Sequence, residues 1–199
     1  MYKLLPLRAK MKKLKKSIQE KEFKTLMNFT QNNPTMRENT KQNLTRLFTL
    51  LYYTGMRINE VPTLTIKNIQ DGISNSELII KAHKQDKERS ILLTPVAIKE
   101  LKKLFEGEEN PEHKVIKVKS NPFTTPSPVA FIARVNAVIQ SVLGDRYTSH
   151  SFRQGLITEL GIKGINPKLI QTFIGHKNIN TTMNYINPSE ADIRNCLVR

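Results

Sequence analysis

The chain has 199 residues, with 32 lysines and arginines against 17 acidic residues and a formal net charge of +15. That excess favours an anionic polymer as partner, with a membrane surface second. A single cysteine, Cys196, excludes an internal disulfide and a cysteine metal cluster, no apolar run is long enough to span a bilayer, and there is no signal-peptide pattern.

Residues 1–16 carry seven basic residues and no acidic one, Lys12 and Lys13 among them. Such an arm either tracks a phosphate backbone or serves as a solubilising tail. Ser17-Ile18-Gln19-Glu20 has the spacing of a capping box and marks the expected start of the folded domain. Phe23, Leu26 and Met27 supply the apolar side of a first helix, and Asn32-Asn33-Pro34-Thr35 reads as a loop.

The clearest helix follows. Leu44, Leu47, Phe48, Leu51 and Tyr52 form one apolar stripe at helical spacing, and Thr54-Gly55 ends it. Arg57-Ile58-Asn59-Glu60-Val61 opens a short turn, so Arg57 stands at a helix–helix corner where it can project charge into a cleft. Spacing alone favours the plainer reading, a surface ion pair between Arg57 and Glu60, because such pairs are common and weak.

Asp71-Gly72 predicts a turn, with strands at Leu78-Ile79-Ile80 and at Ser90 to Leu93. The polar, mostly basic stretch from Lys81 to Arg89 predicts a hairpin with a cationic tip. It is a solvated loop, or it delivers a lysine to DNA or to a reacting phosphate. Thr94-Pro95 caps a helix that buries Ile98, Leu101 and Leu104. Gly107 to His113 is a polar connector, Val115, Ile116 and Val118 suggest a short edge strand, and Pro122 to Pro128 is loop. Val129, Phe131, Ile132, Val135, Val138 and Ile139 make a further amphipathic helix.

From Thr148 onward the sequence concentrates chemistry. Thr148 or Ser149 is a cap, Phe152, Leu156 and Leu160 recur every four residues, and Gly161 is the stop signal. His150 and Arg153 then share one helix face that borders the apolar stripe, which should shield both. Asn166 and Pro167 start a second helix that buries Leu169, Ile170, Phe173 and Ile174 and ends at Gly175, which delivers His176 at a turn. Asn180 caps a third short helix carrying Tyr185, and Pro188 ends it before a helical tail to Arg199. An arginine fork matched to phosphate oxygens, histidines that move protons near neutral pH and a tyrosine nucleophile together suit chemistry on a phosphodiester.

The set resembles the catalytic domain of the tyrosine recombinases, the phage-integrase and Xer-like family. Residues 54–61 resemble its first arginine box. His150-Ser151-Phe152-Arg153 resembles its His-x-x-Arg box, and Ile174-Gly175-His176 with Thr181, Thr182 and Tyr185 its closing box. The resemblance covers roughly residues 17–190. It implies a mainly α-helical fold with a small antiparallel β-sheet: a catalytic domain over 17–199, tail included, behind the basic arm. Arg57 and Arg153 would clamp the scissile phosphate, and Tyr185 would attack it to form a 3′-phosphotyrosyl link. His150 would assist proton transfer and His176 would hydrogen-bond a phosphate oxygen. Glu60 would brace Arg57, and Lys84 of the hairpin would protonate the leaving 5′ oxygen, with Lys81 and Lys87 as rivals. Lys81, Lys87, Arg89, Lys12 and Lys13 are the candidate DNA contacts. Gln154 stands where many relatives have His, and Asn68 where Asp is frequent. Relatives usually carry a separate DNA-clamping domain in front, so the chain would be an excised catalytic domain or a short member.

The implied activity is site-specific DNA recombination or integration. The alternatives are a type IB topoisomerase-like enzyme or a catalytically idle DNA-binding regulator. Two guanidiniums and a histidine stabilise transition-state charge without a metal, each such donor contributing about 3–4 kcal/mol. The covalent link conserves bond energy, so no cofactor, metal or ATP is expected. The expected partner is double-stranded DNA, bound by a homo-tetramer that is monomeric alone, with accessory DNA-binding proteins an open addition. The expected location is cytoplasmic and nucleoid-associated, away from any membrane.

Overall fold

The computed structural model describes residues 16–81 and 88–186. The elements run α1 (Glu20–Asn32), α2 (Glu38–Thr54), a 3₁₀ turn (Val61–Thr63), α3 (Ile66–Asn75), β1 (Glu77–Lys81), β2 (Glu88–Leu92), α4 (Pro95–Leu104), α5 (Pro128–Leu143), α6 (His150–Ile162), α7 (Pro167–Ile174) and α8 (Ile179–Met183). The fold is mainly helical with one two-stranded antiparallel sheet, β1 against β2, in which Ile79 faces Ser90 and Leu78 faces Ile91.

Helix α2 is the central post. Leu44, Leu47, Phe48, Leu50 and Leu51 are all buried, so it is apolar on more than one side. Phe48 stacks on Phe152 with ring centroids 5.6 Å apart, which ties α2 to α6. Arg46 is also buried within α2. Its guanidinium bonds Glu108, donates to the Val115 carbonyl at 3.3 Å and lies 4.9 Å from the Phe105 ring centroid. Lys117 adds a second cation to Glu108 at 2.8 Å. Burial alone would raise the Glu108 carboxyl, but Arg46 and Lys117 overrule it and hold its pKa at about 2. A second cluster, Ile157, Ile170 and Ile174, gathers Leu156, Leu160, Phe173, Tyr185 and Ile186 between α6 and α7.

Several expectations need correction. Helix α1 begins behind Gln19, not Ser17: the Gln19 N–H donates to Glu22 at 3.1 Å. Ile18 is drawn into the core and its N–H donates to the Ser151 carbonyl at 2.9 Å, which keeps residue 18 out of the helix. Asp71-Gly72 is no turn. Gly72 is buried inside α3, and a Cβ there would meet Leu78 at 3.2 Å, so packing overrides the local signal. Ser76, at φ 57°, makes the reversal instead. Val115 and Ile116 are buried but form no strand, and neither does Val118; the neighbouring pairings are isolated bridges of Thr65 with Lys114 and of Val118 with Asn121.

Helix α6 runs one residue past Gly161, and Gly164 takes the left-handed backbone instead. Leu169 is 64% exposed and Val129 82% exposed, so neither is core. Ile98, Leu104 and Phe173 are only partly buried. Asn178 rather than Asn180 caps α8, which ends at Met183, so Tyr185 follows the helix instead of riding on it. Lys12, Lys13, Lys84, Lys87 and the tail from Asn187 lie outside the described residues.

Candidate active site

Four segments converge on one site: the corner after α2, the start of β2, the start of α6, and the chain on either side of α8. The corner exists because Gly55 takes a left-handed φ of 60°, which ends α2 and turns its carbonyl toward Arg153. A Cβ there would lie 2.7 Å from Leu156, so α6 packs directly on this glycine.

Glu60 is buried beneath the pocket. Its Oε2 accepts from the Arg57 N–H at 2.6 Å and from Arg89 Nη2 at 2.9 Å, while Oε1 accepts from Arg57 Nη1 at 3.0 Å. Burial would raise its pKa, but Arg89 and then Arg57 outweigh that, and the carboxyl stays below its ordinary value. The expected ion pair of Arg57 with Glu60 is thus present, with its carboxylate partner buried rather than at the surface. The Arg57 side chain is 42% exposed, and its Nη2 donates to the Gly175 carbonyl at 3.2 Å.

Arg153 is 1% exposed. Nη1 donates to the Gly55 carbonyl at 2.8 Å, Nη2 to the Ile174 carbonyl at 2.5 Å, and Nε to His176 Nε2 at 3.3 Å. Burial, then the charges of Arg57 and Arg89, lower its pKa to about 9. Its planar fork therefore staples the α2 corner to the end of α7. Gly175, at φ 73°, turns the chain there and presents His176. Burial, then Arg153 and Arg57, lower the His176 pKa to about 4, so the ring is neutral at pH 7.

His150 was expected to share the shielding of Arg153, but it is exposed, because it is the first residue of α6 and points from the helix mouth. Its Nε2 lies 3.2 Å from the Tyr185 hydroxyl. Tyr185 is held from below: Thr158 Oγ1 donates to its carbonyl at 3.5 Å, and Ile186 packs over Gly161.

Of the candidate residues, the structure brings together Arg57, Glu60, Arg89, His150, Arg153, His176 and Tyr185. Arg89, expected at DNA, turns inward, with Nη1 donating to the Phe173 carbonyl at 3.3 Å. Lys81 closes β1. Four participants had no assigned role. Gln171 Nε2 donates to the His176 carbonyl at 3.0 Å, Thr182 lies 2.9 Å from His176 Nδ1, and the carbonyls of Gly55 and Ile174 receive Arg153. A glutamine inside the run from Leu169 to Ile174 that was expected to pack was the available signal for Gln171. Chemically, the pocket offers anion-binding donors over a neutral histidine, with a phenol at its edge beside a second imidazole. Among the described residues no group of three or more His, Cys, Asp or Glu could hold a metal ion.

The sequence pattern of the phage integrase family matches residues 16–192. The chain is 25% identical over 187 residues to tyrosine recombinase XerA of Pyrococcus horikoshii, covering 94% of this chain and 61% of that protein. It is 29% identical over 169 residues to the TnP I resolvase of Bacillus thuringiensis, covering 80% and 55% respectively. The chain thus spans little more than half the length of these relatives. In fold it is similar to the Tn1549 transposon integrase in complex with transposon right end DNA, with a TM-score of 0.72 at 17% identity, covering 94% of this chain and 66% of that one. It is also similar to the XerH site-specific recombinase bound to a palindromic difH substrate, with a TM-score of 0.66 at 22% identity, covering 92% and 53%.

Proposed function

The chain belongs to the phage integrase family of tyrosine recombinases, and on that premise we propose that it is a site-specific DNA recombinase or integrase that cleaves and rejoins double-stranded DNA through a 3′-phosphotyrosyl intermediate. The observation that carries this reading is the 3.2 Å approach of the Tyr185 hydroxyl to His150 Nε2 at the rim of the arginine pocket. A phenol with a pKa near ~10 needs a base or a strongly positive site before it attacks, and this one has both within reach.

In the proposed reaction the scissile phosphate enters above Arg57 and Arg153. The Tyr185 oxygen attacks phosphorus, and its proton passes to His150. The bond from phosphorus to the 5′ oxygen breaks, and the leaving oxygen takes a proton from Lys84, with Lys81 and Lys87 as rivals for that role. Arg57, Arg153 and His176 meet the charge that develops on the non-bridging oxygens. Glu60 keeps Arg57 aimed. Reversal by a 5′ hydroxyl from another strand restores the phosphodiester, so the number of high-energy bonds does not change and neither ATP nor a metal is required.

The same reading takes residues 17–199 as the catalytic domain behind a basic arm that includes Lys12 and Lys13. It takes the protein as monomeric alone, tetrameric on DNA and located with the nucleoid in the cytoplasm, with room for accessory DNA-binding proteins. The test is trapping on nicked suicide duplexes drawn from a random-sequence pool, in the presence of EDTA. A covalent adduct that maps to Tyr185 and disappears in Tyr185→Phe, while DNA binding persists, is the expected result. An adduct that survives Tyr185→Phe overturns the nucleophile, and binding without any adduct favours an idle regulator.

A further inference from the structure

His176 faces two ways. Its Nδ1 lies 2.9 Å from Thr182 Oγ1, and Thr182 is fully buried. Its Nε2 lies 3.3 Å from Nε of Arg153. A guanidinium has donors only, so Nε2 must accept in that contact. In a neutral ring the proton then sits on Nδ1 and is donated to Thr182 Oγ1.

A bound phosphate inverts the requirement. Its oxygens accept, so the ring nitrogen that meets them has to carry a hydrogen. Nδ1 is turned toward buried Thr182, which leaves Nε2 for the phosphate. The ring cannot rotate out of the conflict by moving its backbone. The His176 N–H donates to the Gln171 carbonyl at 3.0 Å, and its carbonyl accepts from Gln171 Nε2 at 3.0 Å. The adjustment therefore falls on the group at Nδ1. A hydroxyl suits it, because it can accept from Nδ1–H or rotate its own O–H to donate to a bare Nδ1.

We propose that Thr182 is a positioning residue that holds His176 in either neutral tautomer, so that an arriving phosphate exchanges Nδ1–H for Nε2–H and draws the Arg153 Nε–H and the His176 Nε2–H onto the anion together. One proton leaves Nδ1 to water and one reaches Nε2 from water, so the ring gains no net charge. The inference rests on the phosphate-cleaving reading of the pocket.

The experiment uses the full chain labelled with ¹⁵N at histidine, titrated with inorganic phosphate and followed by two-bond ¹H–¹⁵N correlation, with His176 assigned from the His176→Asn spectrum. The expected result is an Nδ1–H tautomer in the free protein and an Nε2–H tautomer at saturation. Thr182→Val should lose the exchange and bind phosphate roughly tenfold more weakly, the scale of one lost hydrogen bond. Thr182→Ser should restore both, with the His113 resonances unchanged in either variant as the check on folding. A wild-type ring that keeps one tautomer throughout, while its resonances still respond to phosphate, overturns the inference and leaves the functional reading standing. Resonances of His150 and His176 that ignore phosphate remove both. A Thr182→Val protein that matches wild type in tautomer and affinity also overturns it, and the wild-type measurement decides the matter whether or not that variant folds.

Discussion

Arg89 on β2 donates from Nη2 to the buried Oε2 of Glu60 at 2.9 Å, a pairing 29 residues apart in sequence. The same carboxylate holds Arg57, so the arginine corner and the loop end of the β-hairpin are fastened to one buried charge. The hairpin from which the candidate lysines spring is thereby referenced to the pocket. Glu60→Gln removes the charge while keeping the shape, leaving two guanidiniums facing each other across a neutral amide. Breaking a buried pair in this way costs about 3 kcal/mol, at the low end of the usual range because Arg57 is partly solvated. Urea denaturation should report that loss. Single-turnover cleavage should fall further than stability predicts, because Arg57 loses its aim.

Arg153→Lys should be the most damaging conservative change in the pocket. A lysine has no planar fork, so it cannot serve the Gly55 carbonyl, the Ile174 carbonyl and His176 at once. The expected loss in cleavage rate is on the order of 10²–10³, the size of one missing charge-stabilising donor. Adduct formation on a suicide duplex measures it. A fall in duplex binding as large as the fall in cleavage would show that Arg153 only binds ground-state DNA.

Acid should destabilise the fold in two separable stages. The His176 pKa falls from 6.5 to about 4 on folding. Between those pH values the unfolded chain takes up a proton that the folded ring refuses, so stability drops as pH falls from 6.5 to about 4. Glu60 and Glu108 act lower down. Their folded pKa values are depressed, Glu108 to about 2, so their contribution is present above pH 4.5 and is lost as pH falls below it. Urea midpoints across this range should show both limbs in the wild type. His176→Asn should flatten the upper limb and leave the lower one.

The parts of this fold that local chemistry decides were legible in the sequence. Gly55, and Asn166-Pro167 with Gly175, bracket α2 and α7 where expected, because caps and stops act within one turn. The residues of the three boxes, Arg57, His150, Arg153, His176 and Tyr185, do meet. What failed was decided at long range. Asp71-Gly72 has turn chemistry, yet Leu78 needs the space a glycine leaves within α3. Val115 and Ile116 read as a strand because both are apolar, but they are buried in a loop whose partner is the Leu64 carbonyl rather than a neighbouring strand. The inward turn of Arg89 and the contact of Thr182 with His176 follow no periodicity, so only three-dimensional proximity exposes them.

Gly155 tests how tightly the pocket depends on the chain that crosses beneath it. A Cβ at this position would run into the Ile18 carbonyl, a backbone atom that cannot swing aside. The Ile18 N–H donates to the Ser151 carbonyl, Gln19 Nε2 donates to the Gly155 carbonyl at 3.4 Å, and the Lys16 N–H donates to the Arg146 carbonyl at 3.1 Å, so the crossing is pinned on both sides of the glycine. Gly155→Ala must push this segment off α6 or tilt α6 itself, at a cost of about 3 kcal/mol, comparable to overpacking a core. For a chain of this size that is a fall in Tm of roughly 6–12 °C. Gly161→Ala is the control: its Cβ would meet only the Ile186 side chain, at 3.0 Å, which can shift. Its Tm should fall much less. Tilting α6 also moves His150 and Arg153, which lie within two turns of Gly155, so Gly155→Ala should cut adduct formation even at temperatures where the protein remains folded. Equal Tm shifts for the two alanine variants would mean that the Ile18 crossing is not what fixes the position of α6.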